Sequence, residues 1–342
     1  MGSVLDLPQL WQRPSFDQLL LCLRSLEIKP SIWVPGARSK NGKRGEEHRS
    51  YSAHNAQETA IYLSGIVKSS LQWLDSEEEK EIIWDETCKR IAERSGRAAM
   101  GTMTRSWPFL NQADSAFELS ILEPAFTGDS LGHKTWGSSY MLALDLPRLA
   151  SGSLSHLFNG TARPSVLELG SGTGLLGIAA AAIWKTHVVL SDLPDIVPNL
   201  LTNVEKNREA VEKLGGSLSG GVLTWGSDHE FDKGLFGRHH QHEIILAADS
   251  LYDDVQPDLL YAAIMEHISL DVGSAVVVIA PQRDRATTQL TAKFRLLMEN
   301  GLRRFACVEE GELDQLDDWG SGDDEDSTSP PVKCWWGVFR YA

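Results

Sequence analysis

A short apolar run that leads directly into three alternating glycines constrains the fold of this chain more than any other feature. The run is Val166-Leu-Glu-Leu-Gly-Ser-Gly-Thr-Gly174, and the small-residue helical pattern of residues 175–184 follows at once. Glycines in such a turn let a ligand approach the backbone where the helix begins, because no Cβ stands in the way. We therefore predict a strand, a cofactor-binding turn at Gly170, Gly172 and Gly174, and a helix.

Further apolar β-branched runs alternate with helical patterns from about residue 164 onward. This alternation predicts an α/β fold with repeated βα units around a parallel sheet. The last two runs have no helix between them, so we predict that they form an antiparallel pair at one edge of the sheet. The predicted strands after the first are residues 187–190, 243–248, 275–279, 303–308 and 333–341, and the predicted helices are residues 196–207, 256–270 and 289–300.

The N-terminal part of the chain is less regular. Residues 58–100 favour helices, and the acidic residues 75–79 are typical of a helix N-terminus. Residues 35–57 read as a loop with local positive charge. We predict a mainly helical extension over residues 1–120, packed on an α/β domain over residues 121–342.

The chain is acidic, with a formal net charge of −15 over 342 residues. Ten acidic and no basic residues lie in positions 309–326, so we predict a solvated acidic loop insertion over residues 309–331, with partner docking as the alternative. Acidity disfavours direct nucleic-acid binding, because phosphates would be repelled. A protein partner is the simpler expectation.

Composition excludes several classes of protein. A hydrophobic fraction of 42% is enough to build a core, which excludes wholesale disorder. No run of about 18 apolar residues occurs, and residues 1–8 lack the pattern of a secretory signal, so we expect no membrane association. The four cysteines lie far apart, which predicts a reducing compartment, here the cytoplasm or also the nucleus, and argues against structural zinc. The cluster at residues 239–242, three histidines and a glutamine, is predicted to be a loop before a strand rather than a metal site.

Two acidic residues separate S-adenosylmethionine from a nicotinamide dinucleotide as the cofactor. Glu168 lies in the strand before the first glycine, where a carboxylate can accept from a cationic amine but would repel a pyrophosphate. Asp192 ends the second strand, where it can accept hydrogen bonds from ribose hydroxyls, which suits either cofactor. No Tyr-x-x-x-Lys pair occurs, so one common arrangement for hydride transfer is absent. We expect S-adenosylmethionine and keep the nicotinamide cofactor as the alternative.

Two tryptophans are candidates for closing the same pocket. Trp225 should follow a strand and cover the adenine, and Trp136 precedes the predicted cofactor fold and is expected to close over the cofactor. Core packing is the alternative for each. Each tryptophan stands beside a glycine in a loop-like stretch, which favours a ligand contact.

Residues 132–137, 168–174, Asp192, Trp225-Gly226 and Ala247-Ala-Asp-Ser-Leu-Tyr252 together resemble the seven-β-strand protein lysine methyltransferases of the family-16 type. The resemblance covers about residues 120–342. Segments beginning at Trp73, Ile83, Cys88 and Glu123 resemble the fungal glucose-inducible, elongation-factor-modifying branch of that family.

The resemblance implies a Rossmann-like class I sheet of seven strands with the last strand antiparallel. It also implies S-adenosylmethionine as methyl donor, S-adenosylhomocysteine as product, no metal, and a lysine of translation elongation factor 2 as target. Ala248 takes a cofactor-binding position in this pattern.

The family's acceptor motif, Asp-x-x-Tyr, falls on Asp249 and Tyr252 at the end of a predicted strand. A carboxylate beside an aromatic ring suits a cationic amine, so we expect Asp249 to orient the lysine and Tyr252 to face it. A simple helix cap is the alternative for Asp249. For the whole chain, two alternatives remain: a small-molecule O- or N-methyltransferase of secondary metabolism, and a non-catalytic cofactor-binding partner subunit.

Overall fold

The computed structural model describes residues 7–26, 58–93, 101–110, 115–125, 131–160, 162–301, 305–315 and 332–341. Two units separate, one with residues up to Met103 and the other from Thr104 onward. The predicted domain boundary between residues 120 and 121 stays a prediction. The loop predicted at residues 35–57 lies outside the described residues, as does the part of the acidic insertion at 316–331.

The first unit contains helices α1 (Phe16–Ser25), α2 (residues 58–68) and α3 (Glu77–Ala92). The Ser76 side chain accepts a hydrogen bond from the backbone N–H of Glu79, and three glutamates fill the first turn of α3. This is the helix start that the acidic run predicted, because carboxylates are stabilised near a helix N-terminus. Leu23, Leu63 and Ile83 are fully buried in the core of this unit.

A two-stranded sheet of β1 (Met103–Leu110) and β2 (Ala116–Glu123) lies within the region predicted to be mainly helical. The signal for β1 is the alternation of residue type: Arg105, Trp107 and Phe109 are buried while their neighbours are not. A period of two places such residues on one face of a strand. The interruption by Pro108 hides the pattern in the sequence.

The second unit is built around a seven-stranded sheet with the order β5-β4-β3-β6-β7-β9-β8. The strands are β3 (Val166–Leu169), β4 (His187–Asp192), β5 (Ser217–Val222), β6 (Ile244–Ala248), β7 (Ala275–Gln282), β8 (Phe305–Gln315) and β9 (Val332–Tyr341). Neighbouring strands from β5 to β7 pair in parallel, and β9 pairs antiparallel with both β7 and β8. The predicted sheet, with its antiparallel last strand, is confirmed.

Helices cover the strands of this sheet in the order that the βα pattern predicted. They are α4 (Gly137–Ser151), α5 (Ser155–Phe158), α6 (Leu175–Trp184), α7 (Val197–Leu214), α8 (Lys233–Phe236), α9 (Gln256–His267) and α10 (Arg285–Asn300). Chain order reverses between β3 and β6, which lie side by side. Ligands of such sheets bind at the carboxyl ends of the strands near this reversal. Among the helices described, none is long and apolar enough to cross a membrane.

The acidic segment begins inside a strand. The prediction of a loop is wrong for residues 309–315, because β8 continues through them to Gln315. Their carboxylates have cationic partners: Glu310 pairs with Arg295 at 2.9 Å, and Glu312 pairs with Lys333 at 2.7 Å. Such pairs let a row of acidic residues continue a strand that a charge count alone reads as solvated loop.

A buried histidine lies at the opposite end of the sheet from the carboxyl ends of the strands. His242 precedes β6, is 5% exposed and shares a 2.9 Å hydrogen bond between its Nδ1 and the Ser165 hydroxyl. Burial lowers the pKa of His242 to about 4, and the nearby His267 and His187 add to this effect. The imidazole is therefore neutral in the folded protein at pH values where an unfolded chain binds a proton.

We expect acid to destabilise the protein through this residue. The contribution of His242 is fully present above pH 6.5 and is lost as pH falls through about 4, because the unfolded state binds the additional proton in that window. The loss is about 3 kcal/mol of unfolding free energy. Urea unfolding of wild type and His242→Asn between pH 4 and 7 measures it, since asparagine keeps the bond to Ser165 without titrating.

His229→Asn, a change at an exposed histidine, serves as the matched control. The stability of this variant should follow the wild-type pH dependence. An equal acid sensitivity of His242→Asn and wild type would contradict the assignment to His242.

Candidate active site

A cavity of about 510 Å³ opens at the carboxyl ends of the central strands, where the chain order predicts a site. Its size lies within the range of cofactor and small-ligand sites. The structure brings together on its wall eight of the ten residues that the sequence predicted: Trp136, Gly170, Gly172, Asp192, Trp225, Ala248, Asp249 and Tyr252. Glu168 and Gly174 stand behind this wall.

The backbone conformation of the turn explains why it contains three glycines. Gly170, Gly172 and Gly174 have φ values of +70°, +55° and +88°, which L side chains rarely adopt. A Cβ at Gly172 would also lie 3.1 Å from the carbonyl oxygen of Gly132 across the cavity wall. The turn therefore presents bare backbone to the cavity at the start of α6, as the sequence predicted.

Asp192 connects the end of β4 to this turn. Its Oδ2 accepts a 2.6 Å hydrogen bond from the backbone N–H of Gly172, and its Oδ1 accepts a 2.7 Å bond from that of Leu193. Burial raises the pKa of Asp192, while these two hydrogen bonds oppose the rise. A carboxylate accepts about four hydrogen bonds, so capacity remains for the ribose hydroxyls that the sequence predicts as its partners.

Glu168 is buried behind the glycine turn. Its side chain is 1% exposed, and its Oε2 accepts a 3.0 Å hydrogen bond from the backbone N–H of Gly177 in α6. Burial raises the pKa of Glu168 to about 8. The carboxyl group braces the first turn of α6 from behind, and its contact with the cofactor amine stays a prediction.

Both predicted tryptophans border the cavity. Trp225 follows β5, as expected, and its ring packs against the turn, where a Cβ at Gly170 would meet it at 3.5 Å. Trp136 precedes the first residue of α4, and the guanidinium of Arg283 stacks over its ring at 4.9 Å from the centroid. Two indoles thus border the cavity, which suits an adenosyl cofactor.

Asp249 directly follows β6, with φ at +58°, and its side chain is 9% exposed. Its two carboxylate oxygens accept hydrogen bonds from the guanidinium of Arg283, at 3.2 Å each, and Oδ2 also accepts from the Ser138 hydroxyl at 2.9 Å. The alternative of a helix cap is wrong, because α9 begins at Gln256 and its N-cap is Val255.

Tyr252 borders the same cavity and is 52% exposed. Burial of its hydroxyl raises its pKa, and the carboxylates of Asp192, Asp253 and Asp249 add to the rise. The aromatic ring of Tyr252 therefore borders the cavity in an acidic surrounding.

Arg283 is the residue on this wall that the sequence reasoning missed. It comes immediately after β7, which ends at Gln282. Asp249 is identified through the family's Asp-x-x-Tyr motif, which offers no guide to a residue after β7. The strand predicted at residues 275–279 also ends before Gln282, so the sequence does not show that Arg283 stands at a strand end.

A second missed feature is a row of asparagines on α7 that binds the backbone of β2. Asn207 bonds to both the N–H and the carbonyl of Ser120 at 2.9 Å each. Asn203 accepts from the N–H of Leu122 at 2.7 Å, donates to its carbonyl at 3.0 Å, and donates to the carbonyl of Thr173 in the glycine turn at 2.9 Å. These amides bond to β2 at the edge that does not pair with β1, and Asn203 connects β2 to the glycine turn.

We expect Asn203→Ala to destabilise the protein and weaken cofactor binding. The change removes the side-chain partner of two backbone groups, the N–H of Leu122 and the carbonyl of Thr173, while the carbonyl of Leu122 keeps its bond to Asn199. We expect a cost of about 2 kcal/mol of unfolding free energy. Chemical denaturation and calorimetric titration with S-adenosylhomocysteine measure the two effects. Asn199→Ala is the matched control, because Asn199 makes a single 3.3 Å bond to Leu122. Equal effects of the two changes would contradict the inference that Asn203 connects β2 to the glycine turn.

Sequence comparisons now give the family. The family described as lysine methyltransferase matches residues 115–295, which include all the residues that line the cavity. Protein-lysine N-methyltransferase rrg1 of Schizosaccharomyces pombe is 30% identical over 340 residues, which cover 98% of this chain and 97% of that protein. The chain belongs to the lysine methyltransferase family.

Two further relatives come from Saccharomyces cerevisiae. Protein-lysine N-methyltransferase EFM2 is 32% identical over 72% of this chain, which spans 58% of the length of that protein. Protein-lysine N-methyltransferase EFM6 is 28% identical in a match that covers 52% of this chain and 76% of that protein. The lysine methyltransferase is thus an S-adenosylmethionine-dependent enzyme that acts on protein lysines.

The described residues fit the cofactor that this family uses. The cavity wall offers bare backbone that a Cβ would obstruct at Gly172, a strand-end carboxylate at Asp192 and two indoles, a set of groups that suits an adenosyl ligand. Within the described ranges, no group of three or more His, Cys, Asp and Glu side chains is arranged to hold a metal ion.

Proposed function

We propose that this lysine methyltransferase methylates a lysine of translation elongation factor 2. The observation that supports the target is the resemblance of the segments at Trp73, Ile83, Cys88 and Glu123 to the elongation-factor-modifying branch. The match to rrg1 over nearly the whole of both chains, including the N-terminal region, agrees with a protein substrate. This substrate also accounts for the proposed location in the cytoplasm or also the nucleus.

When bound, S-adenosylmethionine supplies a methyl group on a sulfonium sulfur; the lysine Nζ lone pair forms the new C–N bond while the S–C electron pair stays on sulfur. In this proposal, the backbone of Gly170 and Gly172 and the carboxylate of Asp192 hold the donor. Asp249 and Tyr252 orient the acceptor; the support is that all five residues border the same cavity. Positioning of this kind supplies much of the rate in a displacement that needs collinear atoms.

The target lysine must lose a proton before it attacks. With an ordinary lysine pKa of about 10.4, deprotonation at pH 7 costs about 4–5 kcal/mol. A site that removes water from the amine and places it near positive charge lowers that cost. A carboxylate such as Asp249 opposes the loss of the proton when its charge is uncompensated, so we assign it orientation rather than general-base work.

The decisive experiment is methyl transfer from tritium-labelled S-adenosylmethionine into purified elongation factor 2 and, in parallel, into a fungal lysate from a strain that lacks this enzyme. We expect label in purified elongation factor 2 and in a lysate band of its size, with Asp249→Ala as the inactive control. Label in another protein would replace the proposed target. Label only in small molecules would support a metabolite enzyme, and no label despite cofactor binding would support a non-catalytic subunit.

A further inference from the structure

Arg283 contacts two residues of the cavity wall that have different predicted roles: Asp249 on the acceptor side and Trp136 on the cofactor side. Its guanidinium makes two 3.2 Å hydrogen bonds to the carboxylate of Asp249 in the acceptor motif. The same group stacks over the ring of Trp136 on the cofactor side at 4.9 Å from the centroid. Arg283 borders the cavity, and 32% of its side chain is exposed.

The two-pronged contact compensates the charge of Asp249. An isolated carboxylate beside the acceptor would stabilise the lysine as an ammonium ion, which has no lone pair for the attack. A guanidinium remains charged at all working pH values and matches both carboxylate oxygens at once. The Asp249–Arg283 pair therefore presents zero net charge to the amine, while the carboxylate still offers oxygen lone pairs to it.

Other charged and titratable groups around this pair do not replace Arg283. Lys134 is buried and donates to the carbonyl oxygen of Pro124. Cys334 of β9 is a buried thiol whose pKa burial raises to about 12, so it stays neutral. The remaining groups are acidic or neutral at pH 7: Asp192 at the end of β4, Tyr252 and Asp253 after β6, and Asp284 beside Arg283.

We propose that Arg283 is a positioning residue that compensates the charge of Asp249, so that the acceptor lysine enters the site as an uncharged amine. Arg283 acts through Asp249: its guanidinium, stacked on Trp136, holds that carboxylate in one orientation. The inference rests on lysine methylation and needs no particular protein target.

The test compares methyl transfer by wild type, Arg283→Gln and Arg283→Lys between pH 6.5 and 9.5. The acceptor is the protein that the wild type labels in the lysate experiment, whichever protein that is, so failure of the elongation factor 2 proposal leaves this test intact. In Arg283→Gln we expect the acidic limb of the kcat profile to move up by about one pH unit. At pH 7 this gives about tenfold lower kcat with no rise in KM for the acceptor, and activity recovers as pH rises.

Arg283→Lys keeps the positive charge but loses the two-pronged bond to the carboxylate. We therefore expect it to retain the wild-type pH profile with a lower plateau value of kcat. Ser138→Ala removes a neutral hydrogen bond from the same carboxylate and is the matched control; its profile should not shift. Thermal melting and calorimetry with S-adenosylhomocysteine confirm that each variant is folded and binds the cofactor product. A kcat loss in Arg283→Gln that is equal at every pH, or an unchanged kcat, would overturn the proposal.

Discussion

Replacing Asp249 with alanine is expected to lower methyl transfer at least about 100-fold, while the affinity for S-adenosylhomocysteine changes by less than about threefold. The change removes the acceptor-side carboxylate and leaves the guanidinium of Arg283 on the cavity wall without its partner. Misplacement of reacting groups by about 1 Å is enough for such a loss. Transfer of labelled methyl groups and calorimetric titration measure the two quantities separately.

Asp254→Ala is the matched control for this change, because Asp254 is an exposed aspartate in the same loop. Its activity should stay near that of the wild type. Equal turnover of wild type and Asp249→Ala would remove Asp249 from the reaction, and loss of cofactor binding would make it a structural residue of the cavity.

The second large effect is expected from Gly174→Ala, at the start of α6. Gly174 has φ at +88°, and an added Cβ would lie 2.7 Å from Cδ1 of the fully buried Leu200. The backbone strain and the overpacking together cost about 3 kcal/mol of unfolding free energy. Because α6 begins where the glycine turn ends, we also expect cofactor affinity to fall at least about tenfold.

Gly160→Ala is the matched control, since an added Cβ there meets the carbonyl oxygen of Ala162 only at 3.8 Å and the residue is exposed. Guanidinium unfolding and S-adenosylhomocysteine titration should find it close to wild type. If Gly174→Ala were as stable as this control, the close packing of α6 on α7 would not require a glycine at position 174.

The strongest local sequence patterns correctly predicted the strand, turn and helix at the predicted cofactor site. β3, the glycine turn and α6 lie where the sequence placed them, because strand, turn and helix signals follow each other without a gap. The ends of other elements moved by several residues; α7 runs on to Leu214, for example, where Gly215 in the left-handed conformation ends it. Elements are defined by local sequence, and their ends are set by contacts with distant residues.

The features that sequence reasoning missed depend on such distant contacts. Asn203 reads as a polar residue on an amphipathic helix, and only the fold reveals β2 within reach of its amide. Glu168 is predicted to contact the cofactor amine, and only the fold reveals that its carboxyl group also accepts a hydrogen bond from the backbone of Gly177. A residue's place along the chain predicts which element carries it, but its partners come from elements far away in sequence.

The end of β8 has a practical consequence for the acidic segment. Gln315 and Val332 are register partners across β8 and β9, so the 16 residues between them can be replaced by a two-residue Asn-Gly hairpin turn. The shortened chain would lose six carboxylates and no cationic side chain, and it would keep both strands whole. A deletion that starts at residue 309 would instead remove the whole acidic part of β8. Comparing the association rate of shortened and full-length enzyme with the protein substrate at low and high salt would isolate electrostatic steering from folding.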